Sequence, residues 1–340
     1  MSAVGILVNP RSGSDVRRLL TSAGSSTVED KVSILRRLLH GAAEAGAEQA
    51  VLTRDPFSIT RRATENLQLS LKVTFLDLPL HHDERDSADA AQAMRDGGCG
   101  SVVSLGGDGT NRALASGWPD APLIPVSTGT NNAFPFHIEP TVAGMAAGLI
   151  ATGAVDLDAH SSRAKVVAVE VNGGDSDAET DLALVDAIAV DDPYVGSLEL
   201  FDPETMMLGV LTRADPAAIG FSGLAGTVLP CAPEEDRGVV LEFIPPSRNP
   251  ARLIRGALAP GWFASVGLAA SRFLELDVSV DVAGPCLLAF DGERSRRLHP
   301  DQTASLRVVR QGPRVIDVGS VVLSGARAGA FERGMGDLGA

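Results

Sequence analysis

Short apolar runs alternate with amphipathic segments over the first 155 residues of the chain. Runs rich in Val, Ile and Leu predict strands at Val4–Val8, Ala50–Thr53, Lys72–Leu76, Ser101–Leu105 and Leu123–Val126. Apolar residues spaced three and four positions apart predict helices at Val28–His40, Ile59–Glu65, Ser87–Arg95, Thr110–Ser116 and Thr141–Thr152. Strands that alternate with helices in this way predict an α/β unit in which helices cover both faces of a parallel sheet.

The pattern changes after residue 155, where strand-like runs follow one another. They predict strands at Lys165–Val171, Leu182–Val190, Thr205–Arg213, Val239–Phe243, Leu276–Val282 and Leu306–Val309. One helical segment is predicted near Asp215–Leu224, and Asn172-Gly173-Gly174-Asp175 is typical of a hairpin turn. We expect an α/β domain over residues 1–155 and a β-rich domain over residues 156–320. A return to the first domain is expected for the tail, residues 321–340.

Composition narrows the range of partners. The chain has 340 residues, enough for two domains with cores of their own. Its formal net charge is −14, whereas binding to nucleic acid or to anionic membranes needs a basic surface. An anionic substrate therefore requires a local positive site. The most apolar later segment, Ala257–Ala270, is short and interrupted by Pro260 and Gly261, so we expect no membrane span.

The cysteines and the first residues indicate the compartment. The three cysteines are far apart and form no zinc-binding pattern, which is typical of reduced thiols in the cytoplasm. A strand is predicted almost at the N-terminus, without the basic and apolar segments of a signal peptide. We expect a cytoplasmic homo-oligomer that binds small molecules and neither nucleic acid nor membranes.

The segment from Ser104 to Arg112, with the sequence SLGGDGTNR, directly follows a predicted strand. Its three glycines allow a close approach of the backbone to a ligand, and N–H groups at the start of a helix bind phosphate oxygens. Asp108 lies between two of these glycines. A carboxylate beside a phosphate repels it unless a cation or a proton-transfer role offsets the repulsion. The segment therefore predicts phosphoryl-transfer chemistry.

Three further segments carry polar groups. They are Asn9-Pro10-Arg11-Ser12-Gly13, Pro125-Val126-Ser127-Thr128-Gly129-Thr130-Asn131-Asn132 and Phe290-Asp291-Gly292-Glu293. The first two follow predicted strands, and the carboxyl ends of parallel strands share the ligand-binding edge of a sheet. Each segment is also compatible with an ordinary turn, since Asn-Pro, Ser-Gly and Asp-Gly all mark turns.

Other familiar sites are absent from the sequence. It contains no GxxxxGK[ST], no complete GxGxxG, no HExxH and no GxSxG motif, which argues against a P-loop, a dinucleotide-dependent dehydrogenase, a zinc protease and an α/β-hydrolase. The charged run from His81 to Asp86 is expected to be a solvated loop. The same expectation holds for the acidic cluster Asp175, Asp177, Glu179 and Asp181.

In their order along the chain, the NPxSG, GGDGTN, PxxTG and DGE segments resemble the superfamily of NAD kinases, diacylglycerol-type lipid kinases and phosphofructokinases. More closely, the chain is similar to the ATP-NAD kinase-like proteins of the acetoin-catabolism protein X group. This likeness is carried by Asn9–Gly13, Asp15–Leu19, Gly106–Arg112 and Ser127–Pro135, and more weakly by Ile219–Gly226. The resemblance implies an NAD kinase-like two-domain fold with the active site between an α/β nucleotide-binding domain and a β-rich domain. It also implies ATP as donor and Mg²⁺ held through the ATP phosphates.

The resemblance also implies roles for individual residues. Asp108 would be the general base that takes a proton from the acceptor hydroxyl. Nucleotide or phosphate contacts are expected for Asn9, Ser12, Gly13, Gly106, Gly107, Gly109, Thr110, Asn111, Thr128, Gly129, Thr130, Asn131 and Asn132. Acceptor-binding or charge-stabilising roles are expected for Arg11, Arg112, Asp186, Asp291 and Glu293.

The acceptor is less clearly marked than the donor. Ala133 stands where lipid kinases carry a carboxylate, and Val185-Asp186 stands where NAD kinases have an Asn-Glu or Asn-Asp pair. Phe221–Leu224 is the nearest counterpart of their GSTAY stretch. The leading hypothesis is a kinase that phosphorylates a hydroxyl of NAD or a related nucleotide. A lipid or other small-molecule kinase and a non-catalytic nucleotide-binding regulator are the alternatives.

Overall fold

The computed structural model of the protein describes residues 2–12, 26–129, 132–174, 178–192, 202–292 and 294–332. Its strands are β1 (Ala3–Val8), β2 (Gln49–Leu52), β3 (Lys72–Phe75), β4 (Ser101–Gly106), β5 (Pro122–Ser127), β6 (Ser161–Arg163), β7 (Val166–Gly173), β8 (Glu179–Ala183), β9 (Asp186–Val190), β10 (Met206–Leu211), β11 (Arg237–Ile244), β12 (Leu253–Ala259), β13 (Trp262–Glu275), β14 (Ser279–Ala283), β15 (Cys286–Phe290), β16 (Arg294–Leu298), β17 (Gln302–Val309) and β18 (Arg314–Ile316). Its α-helices are α1 (Val28–Glu44), α2 (Ile59–Thr64), α3 (Arg85–Asp96), α4 (Asp108–Gly117), α5 (Pro140–Ala151), α6 (Phe221–Gly226) and α7 (Val318–Arg327).

The N-terminal α/β part is built on a seven-stranded sheet in the order β3-β2-β1-β4-β5-β18-β6. All neighbouring strands in it are parallel except β6, which runs antiparallel to β18. The chain moves from β1 outward through β2 to β3 and then crosses back to β4. Strand order therefore reverses between β1 and β4, the position where such sheets bind ligands.

Helix α1 shows why the sequence pattern was informative in this part. Thr27 caps it, and the Thr27 hydroxyl and the Asp30 carboxylate each bind the backbone of the other residue. Its predicted apolar face is buried, including Leu35 and Leu38. Gly144 of α5 packs so closely on α1 that a Cβ there would lie 2.1 Å from the carbonyl oxygen of Leu38. Both helices cover one face of the sheet, while residues of α3 and α4 pack on the other.

The C-terminal part is β-rich and antiparallel. One sheet has seven strands in the order β12-β13-β11-β10-β9-β15-β16, and a second has four in the order β14-β17-β7-β8. Apolar side chains from both sheets form one shared core, and α6 covers the other face of the larger sheet. The prediction of an α/β part followed by a β-rich part is confirmed.

Several local predictions in the β-rich part were wrong. The predicted strand Leu182–Val190 is broken at Leu184 and Val185, and its two halves join different sheets as β8 and β9. Glu179 and Asp181 lie on β8 and form ion pairs with Arg296 and Arg112, so they do not belong to a solvated loop. Asp175 and Asp177 lie outside the described residues.

The end of the described chain returns to the first sheet. Strand β18 pairs with β5, and side chains of α7 join the core beneath α5. The apolar segment Ala257–Ala270 forms most of the hairpin of β12 and β13. Among the described residues, no helix combines the length and the apolar character that crossing a membrane requires. The proposed division into domains at residue 155 stays a prediction.

Candidate active site

Three polar loops leave the same edge of the first sheet. Residues 9–12 follow β1, Gly107 follows β4, and residues 128–129 and 132–135 follow β5. These three strands are adjacent and parallel, and the loops lie at their carboxyl ends. The sequence motifs that follow them are therefore assembled at one place, beside the reversal of strand order.

Helix α4 begins at Asp108, so most of the GGDGT motif forms its first turn. The first N–H groups of a helix lack partners within it, and the helix dipole is positive at this end. Both glycines that precede the helix lie close to neighbouring side chains. A Cβ at Gly106 would lie 2.4 Å from Cβ of Thr110, and a Cβ at Gly107 would lie 2.7 Å from Oδ1 of Asn132. Such a helix start suits a phosphate group.

The Asp108 carboxylate is fixed by two backbone amides of the loop after β5. Its Oδ1 atom accepts a hydrogen bond from the N–H of Phe134 at 2.8 Å. Its Oδ2 atom accepts one from the N–H of Ala133 at 3.0 Å. The start of α4 and the neighbouring loop therefore share one side chain, whose orientation is set before any ligand binds.

Burial raises the pKa of Asp108 to about 7, and the negative charge of Asp291 adds to this rise. The hydrogen bonds from Ala133 and Phe134 and the positive charge of Arg213 act in the opposite direction. A carboxyl group with this pKa gains and loses its proton near neutral pH. That is the condition under which a general base is most efficient.

Arg213 holds the other side of the Ala133 peptide. Its Nη1 atom donates to the carbonyl oxygen of Ala133 at 3.2 Å, and its guanidinium carbon lies 5.1 Å from the centre of the Phe134 ring. Its Nε atom is buried and has no hydrogen-bond partner within the described part of the chain. A buried N–H without an acceptor is unfavourable, so this atom is a candidate donor to a bound anion. Burial lowers the pKa of Arg213, and the charge of Asp108 opposes this shift.

Asp291 is buried in the hairpin turn between β15 and β16, with a φ of 52°. Its Oδ2 atom accepts a hydrogen bond from the N–H of Leu184 at 2.9 Å, and its Oδ1 atom accepts one from Val185 at 2.7 Å. A third comes from the N–H of Asp186 at 3.3 Å, and the N–H of Asp291 donates to the carbonyl oxygen of Asp186 at 3.0 Å. Burial raises the pKa of Asp291, and these hydrogen bonds oppose the rise. The two predicted acceptor-side aspartates are thus in contact.

Side chains of the loop after β1 connect it by hydrogen bonds to the start of α4 and to the loop after β5. The Nδ2 atom of Asn9 donates to the hydroxyl of Thr110 at 2.8 Å, and the hydroxyl of Thr128 donates to that of Ser12 at 2.8 Å. Beneath the loop, the buried ammonium group of Lys31 donates to three of its carbonyl oxygens at 2.6–3.2 Å. The loop is therefore held from both sides and has a positive charge under it.

Two of the remaining residues that were predicted to contact the nucleotide, Asn132 and Asn111, form hydrogen bonds within the protein. Asn132 donates to the hydroxyl of Ser127 at 3.0 Å, and that hydroxyl donates to the carbonyl oxygen of Gly129 at 2.8 Å. Asn111 is fully buried, and its Nδ2 atom donates to the carbonyl oxygen of Gly107 at 2.8 Å. Gly109 lies in the first turn of α4. Four predicted residues lie outside the described part of the chain: Gly13, Thr130, Asn131 and Glu293.

The two arginines predicted to stabilise charge differ in their surroundings. Arg11 is exposed, and its Nη1 atom donates to the carbonyl oxygen of His82 at 3.2 Å. Arg112 is buried and binds acceptors of the β-rich part. The arginine that lies beside the Asp108 carboxylate is Arg213, which sequence reasoning missed because it follows an apolar strand without any local motif.

A pocket of about 250 Å³ opens next to the start of α4. The loops after β1, β2 and β3 form most of its wall, and Phe290 of the β-rich part closes one side. Its polar lining includes Asn9, Arg11, Arg54 and Thr110. The same wall also carries four carboxylates, those of Asp55, Asp83, Glu84 and Asp86, so a polyphosphate bound there needs an accompanying cation as well as the helix start and the arginines.

Lys31 was also missed by sequence reasoning. It is one of only three lysines in the chain, and that scarcity was the single available signal. Nothing near it in sequence indicates that it lies under a loop that begins with Asn9. No group of three or more His, Cys, Asp and Glu side chains within the described residues could hold a metal ion.

Comparison with known proteins agrees with this architecture. The family model of the ATP-NAD kinase N-terminal domain matches residues 4–154, and that of the acetoin catabolism protein X C-terminal domain matches residues 165–311. Acetoin catabolism protein X of Cupriavidus necator is 32% identical over 333 residues, which cover 95% of this chain and 92% of that protein. The crystal structure of yeast NADH kinase complexed with NADH has a TM-score of 0.55 at 9% identity, over 98% of this chain and 89% of that chain. At this identity the structural likeness shows a common fold.

Proposed function

The chain belongs to the acetoin catabolism protein X family, and from this premise we propose that it transfers the γ-phosphoryl group of ATP to a hydroxyl of NAD or a related nucleotide. One observation carries the proposal. The Asp108 carboxylate, with a pKa of about 7, is anchored at the start of a glycine-rich helix beside the guanidinium of Arg213. A base and a cation at a phosphate-binding helix start are the groups that phosphoryl transfer to a hydroxyl needs.

In the proposed reaction, the acceptor hydroxyl donates its proton to the Asp108 carboxylate while its oxygen attacks the γ-phosphorus of ATP. ADP leaves with the electron pair of the broken P–O bond. Because Asp108 is held by the amides of Ala133 and Phe134, it does not need to reorient during the reaction. Such fixed placement accounts for much of the rate of phosphoryl transfer.

Arg213 is proposed to stabilise the negative charge on the transferred group. Its buried Nε atom has no acceptor among the described residues, so a phosphoryl oxygen would satisfy it. The donor phosphates would lie at the start of α4 and in the adjoining pocket, next to Arg11 and Arg54. The loop from Asn9 to Ser12, with the positive charge of Lys31 beneath it, would border the same phosphates.

Magnesium is expected to enter with ATP. Mg²⁺ usually keeps several waters and binds phosphates plus one or two carboxylates. The described residues include no set of three or more metal-binding side chains, so they do not fit a resident metal held by the protein alone. Bound to ATP, the ion would neutralise part of the phosphate charge, and the roles proposed for Asp108 and Arg213 would stay the same.

NAD as the acceptor is the finer part of the proposal. Its support is the match of residues 4–154 to the ATP-NAD kinase domain. The yeast kinase with the same fold was crystallised with NADH, which makes a dinucleotide the first acceptor to test. We further propose that the protein acts as a homo-oligomer in the cytoplasm and binds small molecules only.

The test is an assay of the purified protein with ATP and Mg²⁺ against a panel of acceptors, read by mass spectrometry. The panel contains NAD, NADH, adenosine and diacylglycerol in vesicles. The expected result is a phosphorylated dinucleotide with wild-type protein and at least roughly 100-fold less of it with Asp108→Asn, which keeps the shape of the side chain and removes the base. An Asp317→Asn variant is the matched control, because Asp317 caps α7 by accepting a hydrogen bond from the N–H of Ser320 at 3.0 Å and lies outside the pocket beside α4, and asparagine caps helices as well as aspartate does.

Different outcomes point to different functions. Phosphorylated lipid with NAD unchanged would replace the dinucleotide by a lipid acceptor. Binding of ATP or NAD by calorimetry without turnover of any acceptor would indicate a regulator and contradict the kinase. Full activity of Asp108→Asn would leave the kinase in place and remove Asp108 from the role of base.

A further inference from the structure

Arg112 is a buried contact between the α/β part and the β-rich part of the protein. It lies on α4 one turn after Asp108, so the two residues share a face of the helix. Only 4% of Arg112 is exposed. Its Nε atom donates to the carbonyl oxygen of Leu182 at 2.5 Å, and its Nη2 atom pairs with Oδ1 of Asp181. Its Nη1 atom lies 3.4 Å from Oε2 of Glu84.

The partners of Arg112 belong to the corner that also holds Asp291. Asp181 and Leu182 come just before Leu184 and Val185 in the chain. The backbone N–H groups of Leu184 and Val185 donate hydrogen bonds to the Asp291 carboxylate. The guanidinium carbon of Arg112 also lies 5.4 Å from the centre of the ring of Phe290, the residue before Asp291. A single side chain of α4 thus contacts the chain on both sides of this carboxylate.

We infer that Arg112 is a positioning residue that fastens the corner between β8 and β9 to the helix that carries Asp108. The corner in turn fixes Asp291 opposite Asp108. The expected change in kcat rests on the proposed function. The fixing of the β8–β9 corner by Arg112 rests on the contacts alone. It differs from the sequence expectation, in which Arg112 neutralises substrate phosphate.

Charge and geometry favour this role over binding of phosphate. The guanidinium already faces two carboxylates, those of Asp181 and Glu84, and a carbonyl oxygen. A phosphate at the same nitrogens would have to displace these acceptors or share the cation with them. Arginine suits several such contacts at once because its guanidinium group is planar and has five N–H donors, whereas lysine has a single ammonium group.

The test compares two ion pairs of the same strand. Asp181→Asn breaks the pair with Arg112, while Glu179→Gln breaks the pair between β8 and Arg296, which lies within the β-rich part. We expect Asp181→Asn to lower kcat about tenfold to a hundredfold with the KM for ATP within about twofold, since a small misplacement of reacting groups costs this much. Glu179→Gln should leave both constants unchanged. Arg112→Lys keeps the positive charge but loses the planar guanidinium group with its several N–H donors. Its kcat and its KM for ATP should therefore be close to those of Asp181→Asn.

A second measurement is independent of turnover. The backbone amides of Leu184 and Val185 donate hydrogen bonds to the Asp291 carboxylate. Their hydrogen exchange should be about tenfold faster in Asp181→Asn than in wild type and unchanged in Glu179→Gln. Unchanged exchange in Asp181→Asn would overturn the inference, as would a rise in the KM for ATP with kcat unaltered. If wild-type protein phosphorylates no acceptor, the proposed function fails, and the exchange experiment still decides the role of Arg112.

Discussion

Two buried aspartates repel each other electrostatically across the site, Asp108 at the start of a helix and Asp291 in a hairpin turn. Both accept hydrogen bonds from backbone amides of a neighbouring segment. Asp108 receives two amides, from Ala133 and Phe134. Asp291 receives three, and only 7% of the residue is exposed. In both cases burial raises the pKa of the carboxyl group.

The difference between them lies in what each carboxylate holds together. The three amides on Asp291 form the corner between β8 and β9, so this carboxylate takes the place of strand pairing where the chain changes sheets. Asp108 joins a helix start to a loop and lies beside Arg213, at the end of α4 that borders the pocket. The same kind of anchor therefore supports the fold at one position and, in the proposed function, presents a reactive group at the other.

The largest effect is expected from exchanging the Asp108 carboxylate for an amide. Asp108→Asn should lower turnover roughly 100- to 10,000-fold, because proton transfer to a positioned base contributes this much. Its melting temperature should stay the same or rise, since the variant removes a buried charge. Steady-state kinetics and thermal unfolding measured on the same sample test both statements. A large loss of stability in Asp108→Asn would show that Asp108, like Asp291, supports the fold, and would contradict the difference drawn between them.

Asp291→Ala should instead act on stability. It leaves the amides of the β8–β9 corner without an acceptor, so we expect the free energy of unfolding to fall by about 3 kcal/mol. Asp291→Asn retains one acceptor oxygen and tolerates the positive φ, and it should cost clearly less. Urea unfolding of the two variants gives the comparison, and equal stability of wild type and Asp291→Ala would contradict the structural role.

The pH dependence separates the two carboxylates further. Activity should rise with pH through about 7, because Asp108 must be unprotonated to act as base. Since its pKa in the folded protein is above the ordinary 3.8, the folded state binds this proton more tightly than the unfolded state does. The contribution of Asp108 to the free energy of unfolding therefore falls as the pH rises from about 4 to about 7.

Two measurements check these signs. The decline in stability between the two pH values should be smaller in Asp108→Asn than in wild type. In Asp291→Asn the midpoint of the activity profile should move to lower pH, because one cause of the raised pKa of Asp108 is removed. A profile that is the same in wild type and Asp291→Asn would show that the two groups do not interact.

The smallest effect is expected at the turn that presents Asp291. Gly292 has a φ of 68°, where a side chain is strained, so Gly292→Ala should cost about 1 kcal/mol of stability. Gly319→Ala is the control, since this glycine lies in α7 and a Cβ there would meet only Oδ1 of Asp317, at an ordinary 3.5 Å. Urea unfolding should show a loss for the first variant and none for the second.

The sequence was most informative where local chemistry decides the structure. The place of the GGDGT motif in the fold was predictable, because Gly106 leaves the space that Thr110 occupies and the helix that follows the motif has an apolar face. The break at Leu184 and Val185 has no local cause, since the run from 182 to 190 is apolar throughout most of its length. It depends on Asp291, more than one hundred residues later in the chain.

The same limit explains the site residues that sequence reasoning missed. Arg213 and Lys31 act through partners that are distant in sequence, the Ala133 peptide for the former and the loop after β1 for the latter. Arg112 belongs to a recognisable motif, yet its contacts with Asp181 and Leu182 depend on how the two parts of the protein meet. Spacing along the chain does not encode such contacts.

The return of β18 to the first sheet affects how the protein is made. On the ribosome, β1 to β5 emerge early, but the strand that pairs with the edge of β5 begins at Arg314. The α/β part therefore cannot complete its sheet until β18 has been synthesised, about 190 residues after β5. A nascent chain halted after β17 would present an open strand edge at β5, which makes it a natural client for chaperones.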